Sequence, residues 1–387
     1  MPESVEISNE TAADAPLLFL PFALRGLTLR NRIVIAPMCQ YSAVDGLAQD
    51  WHFAHLSSFS MGGAGLVFAE AASVEERGRI TYGDLGIWSD AHAEALKPAI
   101  RFMQGQGAAV GVQIAHAGRK ASMQRPWHGN GPMDERDTER GEAPWDPVAP
   151  SPLPMQDGWL MPAELDEAGL AQIRDAFVAA ARRVDAAGAD VLEVHGAHGY
   201  LLHSFLSPIS NHRTDGYGGD RAGRMRFPLS VAMAVRAAWP ETKPLFYRIS
   251  SVDSVEGGWE IGDSVVFAGA LKETGVDIVD CSSGGIGGPA TATRLPRQYG
   301  FQVPFSAQIR REAGVSTMAV GLIVEPDHAE AILKEGDADL IAIAREALYN
   351  PFWPHHAANA LGADGRWEAW PEQYGWWLSR RERFMGK

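Results

Sequence analysis

Residues 166–200 read DEAGLAQIRDAFVAAARRVDAAGADVLEVHGAHGY, one complete passage from helix to strand. Leu170, Ile173, Phe177, Ala181 and Val184 recur at three- and four-residue steps, which puts them on one face of an α-helix. Asp166 supplies the N-cap and Gly188 the stop. Val191-Leu192-Glu193-Val194 then reads as a short buried strand, whose end opens into His195-Gly196-Ala197-His198-Gly199-Tyr200.

Working outward, the same alternation recurs along the chain. β-branched runs lie at 33–36, 65–70, 110–115, 191–194, 245–249, 276–280, 317–320 and 340–343, each followed by a segment with helical spacing. Parallel strands covered on both faces read as near-continuous apolar runs, and parallel connections need intervening helices. Eight such units predict an α/β protein built as a (β/α)8 TIM barrel. A doubly wound open sheet would show a similar alternation, but no GxGxxG follows the first strand.

The chain has 387 residues, a length that suggests two or three ordinary domains unless the fold is a barrel. We assign residues 17–387 to a single barrel domain and residues 1–16 to a flexible N-terminal extension. Between Gly118 and about Pro162 the pattern gives way to Pro, Gly, Trp and charge. So long a connection is uncommon unless functional. Trp127, Trp145 and Trp159 make it more aromatic than disordered segments are, and we expect an insertion after strand 3 capping the barrel mouth.

A formal net charge of −14, spread along the chain, repels phosphate backbones and anionic lipid, which argues against nucleic acid and membrane as partners. The first sixteen residues hold four acidic and no basic side chains, unlike a secretory signal. A cytoplasmic protein is expected. The two cysteines, Cys39 and Cys281, exclude a disulfide framework, a cysteine zinc site and a four-thiolate iron–sulfur cluster. Redox chemistry would need an organic cofactor, and no metal is expected.

Barrel enzymes work at the C-terminal ends of their strands. His195, His198 and Tyr200 lie within six residues after the fourth strand. Two imidazoles can hydrogen-bond one oxygen, and a phenol can donate a proton, the ingredients of carbonyl activation. Structural or metal-ligating histidines are the plainer alternative. Gln113 and Arg248 are polar side chains in apolar runs and need partners inside the barrel; a salt bridge would satisfy Arg248, and a backbone hydrogen bond Gln113. Gly321, Ala344 and Arg345 follow the seventh and eighth strands, where barrels commonly hold phosphate. The glycine-rich run 282–288 is a second possible cradle.

The residues from Asn31 to Ser42, NRIVIAPMCQYS, resemble the first-strand signature of the Old Yellow Enzyme family in its thermophilic-like branch, the branch of FMN-dependent NADPH ene-reductases and xenobiotic reductases. The block from Glu193 to Pro208, EVHGAHGYLLHSFLSP, is similar to the family's fourth-strand block, and matches extend through 79–90 and 113–120. The resemblance covers about residues 17–355. It implies noncovalent FMN contacted by Ala36, Pro37, Met38, Cys39, Ala71, Gln113 and Arg248, with the phosphate at Gly321, Ala344 and Arg345. It further implies that His195 and His198 bind a substrate carbonyl, that Tyr200 donates the proton, and that Tyr41 touches substrate. Ala36 replaces a frequent Ser and Ala344 a frequent Gly. Trp376 and Trp377 stand where some relatives place an Arg that reaches a neighbouring subunit, a departure from that contact. The aromatic and basic C-terminal segment either packs on the outer helices of its own barrel or, as aromatic and Arg enrichment marks interface cores, belongs to a homo-oligomer with Trp376 or Trp377 in a substrate-binding wall at its own or a neighbour's site.

By this resemblance NADPH or NADH reduces FMN, and an α,β-unsaturated ketone, aldehyde or imide then accepts hydride at its β-carbon. The alternatives are reduction of other xenobiotics such as nitro compounds, and a non-redox barrel lyase. An iron–sulfur reductase on the same barrel would need the absent cysteines. A Schiff-base lyase would need a Lys at a strand end, and none is evident.

Overall fold

The computed structural model describes residues 15–287, 295–363 and 367–385. Most of the expected N-terminal extension, the end of the glycine-rich run and part of the C-terminal segment lie outside them. Strands β1 (Ile33–Ile35), β2 (Leu66–Ser73), β3 (Ala109–Ala115), β4 (Val191–Gly196), β5 (Leu245–Ser250), β6 (Ile278–Ser282), β7 (Ser316–Ala319) and β8 (Leu340–Ile343) pair in parallel in that order. β8 returns to β1 at Ile341 and Ile33, which closes the ring. The eight runs read from the sequence are the eight staves of a TIM barrel.

Side chains alternate between two cores, as the two-residue period of a strand requires. On β4, Leu192 and Val194 point outward to the helices, and Val191 points into the barrel with Val34, Leu66, Phe68, Phe246, Ile278, Met318 and Leu340. Glu193 and His195 follow Val191 at the same period and also face inward. The outer layer comprises α1 (Asp50–Met61), α2 (Asp90–Gly105), α3 (Glu167–Ala187), α4 (Arg221–Ala238), α5 (Ile261–Glu273), α6 (Val303–Ala313), α7 (Pro326–Lys334) and α8 (Trp353–Ala360). In α3 the Asp166 carboxylate accepts from Gly169 N–H (2.7 Å), and Gly188, at φ 91°, ends the helix in the left-handed region. Phe177 on its inner face is fully buried, so Phe177→Ala would remove ~3–5 kcal/mol.

The run at 17–24 hides an element that its apolar character did not reveal. Phe22–Leu24 and Leu27–Leu29 form an antiparallel hairpin whose Phe22, Leu24, Leu27 and Leu29 pack on the interior cluster and close the end of the barrel away from the site. No helix among the described residues is long and apolar enough to cross a membrane.

The segment after β3 contains a short helix (Glu135–Glu139) and a two-residue pairing of Val148–Ala149 with Ala163–Glu164. Beyond α8, helix α9 (Glu372–Phe384) follows Trp370, which stacks on Phe352 and His355. Tyr374 of α9 reaches the same Phe352.

Candidate active site

The C-terminal strand ends bring His195, His198 and Tyr200 together. The His195 ring lies 5.1 Å from that of His198 and 5.0 Å from that of Tyr200, edge to face in both cases. His195 Nδ1 accepts a hydrogen bond from Ala197 N–H (3.2 Å). Burial, reinforced by the charge of Arg248, holds both imidazoles well below the ordinary histidine range, so both are neutral. In a neutral His195 with Nδ1 accepting, Nε2 carries the proton and is a donor. His198 is anchored through Nε2 to Ser282 Oγ (2.7 Å) and through its N–H to Ser250 Oγ (2.9 Å), with its backbone at φ 59°. Burial pushes the Tyr200 phenol up, so it is protonated.

Next to this group a band of polar side chains crosses the barrel interior, Arg248 pairing in register with His195 and Glu193 lying two residues earlier on β4. Gln113 Nε2 donates to Glu193 Oε1 (2.7 Å), and Arg248 Nε stands 3.0 Å from Asp280 Oδ2. The plain expectation of an acidic partner for Arg248 is met. Gln113 pairs with a carboxyl rather than with backbone. Arg248 keeps 7% exposure, and its Nη atoms have no hydrogen-bond partner among the described residues.

The remaining residues expected at the cofactor sit on neighbouring rims. Ala36, Pro37, Met38 and Cys39 continue directly from β1, and Glu70 holds this stretch by accepting Gln40 N–H (2.7 Å), with His52 at 3.2 Å behind it. Ala71 lies in β2 where the register with β3 shifts. Gly321 follows β7 at φ 125°, and Ala344 precedes the helical turn Arg345–Tyr349, with the Arg345 side chain exposed. These groups fit a flavin: a guanidinium that faces Asp280 through Nε and keeps its Nη atoms for the polar ring edge, and small residues leaving backbone N–H groups open where a phosphate would lie. Burial and the nearby Glu70 push the Cys39 thiol up, so it is not a thiolate.

Cys39 and Tyr41 pack onto a cluster of Ile80, Ala117, Ala121, Met123 and Tyr200, together with Trp145 and Trp159 of the long connection after β3. Trp127 of the same connection meets Tyr41 edge to face at 6.1 Å. Trp377 is not brought to this place within the chain. It is 67% exposed on α9, and its described ring contact is with Trp376.

Sequence reasoning missed Lys120. Five residues beyond β3, it is 1% exposed, burial and then the neighbouring Arg119 charge push its amine well below the ordinary lysine range, and its Nζ donates to the carbonyl oxygens of His198 (2.7 Å) and Gly285. Arg119 beside it donates to Ile286 O (2.6 Å). Gly285, at φ 88°, has its backbone against that of His198, where a Cβ would collide with the His198 main chain. The pair thus clamps the turn after β4 to the loop after β6. The run HAGRK was visible, but a Lys in a turn gives no periodicity to mark it as buried. His128, Asp137 and Glu142 also lie close together, but Asp137 and Glu142 are engaged by Arg140 and Arg125.

Comparison with known proteins identifies the family. Residues 17–364 match the NADH:flavin oxidoreductase / NADH oxidase family. An NADPH dehydrogenase of Geobacillus sp. (strain WCH70) is 43% identical over 348 residues, covering 89% of this chain and 95% of its own. One from Listeria innocua is 42% identical over 347 residues, covering 89% and 95%. Among solved structures, morphinone reductase in complex with tetrahydroNAD superposes with a TM-score of 0.72 at 25% identity, over 89% of this chain and 91% of that one. The old yellow enzyme homologue from Zymomonas mobilis gives 0.73 at 24% identity, over 89% and 93%. The chain belongs to the NADH:flavin oxidoreductase / NADH oxidase family, that of the Old Yellow Enzymes, and is an FMN-dependent oxidoreductase that draws its electrons from a reduced nicotinamide.

Proposed function

We propose that this enzyme is an ene-reductase acting on α,β-unsaturated ketones, aldehydes or imides, with residues 17–387 working as one unit. The observation that carries the reading is the His195 tautomer: an N–H donor held by Ala197, in a neutral ring, beside a protonated phenol. A metal-binding histidine would need its donor lone pair facing the site; His195 presents a hydrogen instead.

Bound and reduced, FMN supplies the hydride equivalent that goes to the β-carbon. His195 Nε2–H and the His198 ring hold the carbonyl oxygen and draw electron density from the alkene, which makes the β-carbon electrophilic. Tyr200 delivers a proton to the α-carbon, completing addition of H⁻ and H⁺ across the double bond. Tyr41 lines the substrate side of the site. Ala36, Pro37, Met38, Cys39, Ala71, Gln113 and Arg248 would hold the flavin ring, and Gly321, Ala344 and Arg345 its phosphate. The aromatic residues of the connection after β3 cap the mouth and exclude water. The exposure of Trp376 and Trp377 supports a homo-oligomer in which Trp377 meets a neighbour's site.

The test is the double variant His195→Ala/His198→Ala. It should keep its FMN spectrum and its reduction by NADPH while losing ~10²-fold or more in oxidation by cyclohexenone, the range of lost oxyanion donors. Oxidation at the parent rate would end the proposal.

A further inference from the structure

The polar layer beside the site is out of charge balance. Arg248 on β5 pairs in register with Asp280 on β6 and with His195 on β4, Glu193 lies two residues earlier on β4 and feels the charges of both Arg248 and Asp280, and both carboxyls are 0% exposed. Contacts are few. Glu193 Oε2, both Asp280 oxygens and Arg248 Nε are sealed from solvent without a properly aligned hydrogen bond among the described residues. Arg248 and Asp280 therefore attract through space at 3.0 Å, and the one hydrogen bond to a carboxyl in the layer comes from Gln113.

No other cation among the described residues compensates. His195 and His198 are neutral, and Lys120 spends its donors on two backbone carbonyls. Gln113 of β3 apposes Glu193, and Met318 of β7 apposes Asp280; neither titrates. Cys281 beside Asp280 is a thiol, its ionisation opposed by burial and by Asp280. One arginine with two carboxylates would leave a net negative charge in a dry interior, a penalty of several kcal/mol. A single proton removes it, and two carboxyls that share a proton titrate as a pair.

We propose that Glu193 and Asp280 share one proton, and that this proton sets how much of the Arg248 charge is available to the flavin, so that reduction of FMN is coupled to proton uptake by the pair. Burial first, and then the neighbouring Asp280, raises the Glu193 carboxyl; burial likewise raises Asp280. With the proton in place the layer is neutral and Arg248 can offset charge gained by the reduced cofactor. Without it the layer is negative and opposes that charge. Glu193 and Asp280 act through Arg248 and are positioning residues. The inference rests on the family's flavin and on Arg248 as its contact, not on the identity of the alkene.

The measurement is the FMN reduction potential of the holoenzyme as a function of pH, for the parent, Glu193→Gln and Asp280→Asn. Either amide leaves one arginine and one carboxylate, a layer neutral at every pH. The parent should show an added downward slope on the alkaline side of neutrality, and both variants should lose it. At the alkaline end the parent's reduction equilibrium should lie at least about tenfold below either variant, ~30 mV for a two-electron couple. Variants that keep the parent's slope and potentials overturn the proposal. Should an amide variant fail to fold, the infrared difference spectrum of the parent decides on its own: a carboxylic acid C=O band must grow when the enzyme is reduced at alkaline pH, and its absence is equally fatal. Cyclohexenone turnover plays no part here, so loss of turnover alone would count only against the ene-reductase reading.

Discussion

Tyr200→Phe separates chemistry from fold. The side chain is 5% exposed, and its ring packs with Ile80, Ala117, Ala121 and Met123, contacts that Phe keeps. Its Oη has no hydrogen-bond partner among the described residues, so the variant should lose less than the ~1 kcal/mol of an ordinary hydrogen bond. The loss should fall on protonation of the α-carbon. A positioned general acid contributes ~10²–10⁴ in rate, or ~3–5 kcal/mol of barrier. A cavity that Tyr200 lines with Ala71, Ser73, Gly78, Ile80, Asp84, Ala115 and Ala117 measures about 10 Å³, room for one water at most, so little solvent stands beside the ring to replace the acid. Anaerobic stopped-flow spectroscopy on the flavin absorbance resolves the two half-reactions. Reduction by NADPH should match the parent, whereas oxidation by cyclohexenone should slow by the stated factor. An oxidative half-reaction at the parent rate, in a variant with parent thermal stability, would remove Tyr200 as the acid.

Three further outcomes are expected. Because burial, with the Arg248 charge second, depresses both His195 and His198 well below 6.5, the oxidative rate should stay flat as pH falls through that value; a break there would mean that an imidazole titrates in the ordinary range. Lys120→Met leaves the His198 and Gly285 carbonyls without their donor, ~1–3 kcal/mol each; the urea midpoint should fall and the KM for cyclohexenone rise with FMN retained, and an unchanged KM would show that the clamp does not position His198. Truncation after Pro371 removes α9 with Trp376 and Trp377, and should raise substrate KM and reduce the size-exclusion mass. Parent values for both would confine those residues to packing on their own chain.

The barrel was legible because its signal is local. Each β-run is buried on both faces, so apolarity marks it without regard to partners, and β8 was read at its observed bounds, Leu340–Ile343. Ends drifted where a strand continues into polar residues: Gly196, Ser250 and Ser282 close β4, β5 and β6 although no apolar pattern includes them. The N-terminal hairpin was lost for a different reason. Three-residue strands carry too little alternation to be seen, and their register is fixed by contact with Leu66, Phe68 and the rest of the interior, which lie far along the chain.

The site was legible only where its parts are neighbours in sequence. His195, His198 and Tyr200 announce themselves because three reactive side chains crowd one turn, and Gln113 and Arg248 because each interrupts an apolar run. What those two need could not be read in the same way. Gln113 finds Glu193 80 positions away, and Arg248 meets Asp280 across the β5–β6 pairing; only the side-by-side pairing of β3 to β6 brings the four together. Glu193 and Asp280 each look, in isolation, like the polar end of a strand. Read as inward-facing partners of a single arginine, they become a charge imbalance that something must neutralise. Lys120 is the converse case, a residue that sequence reads as surface charge, made structural by two carbonyl oxygens from separate loops. In both instances the reading lies in a count of charges and donors within a closed volume, and that count exists only once strands far apart in sequence have paired side by side.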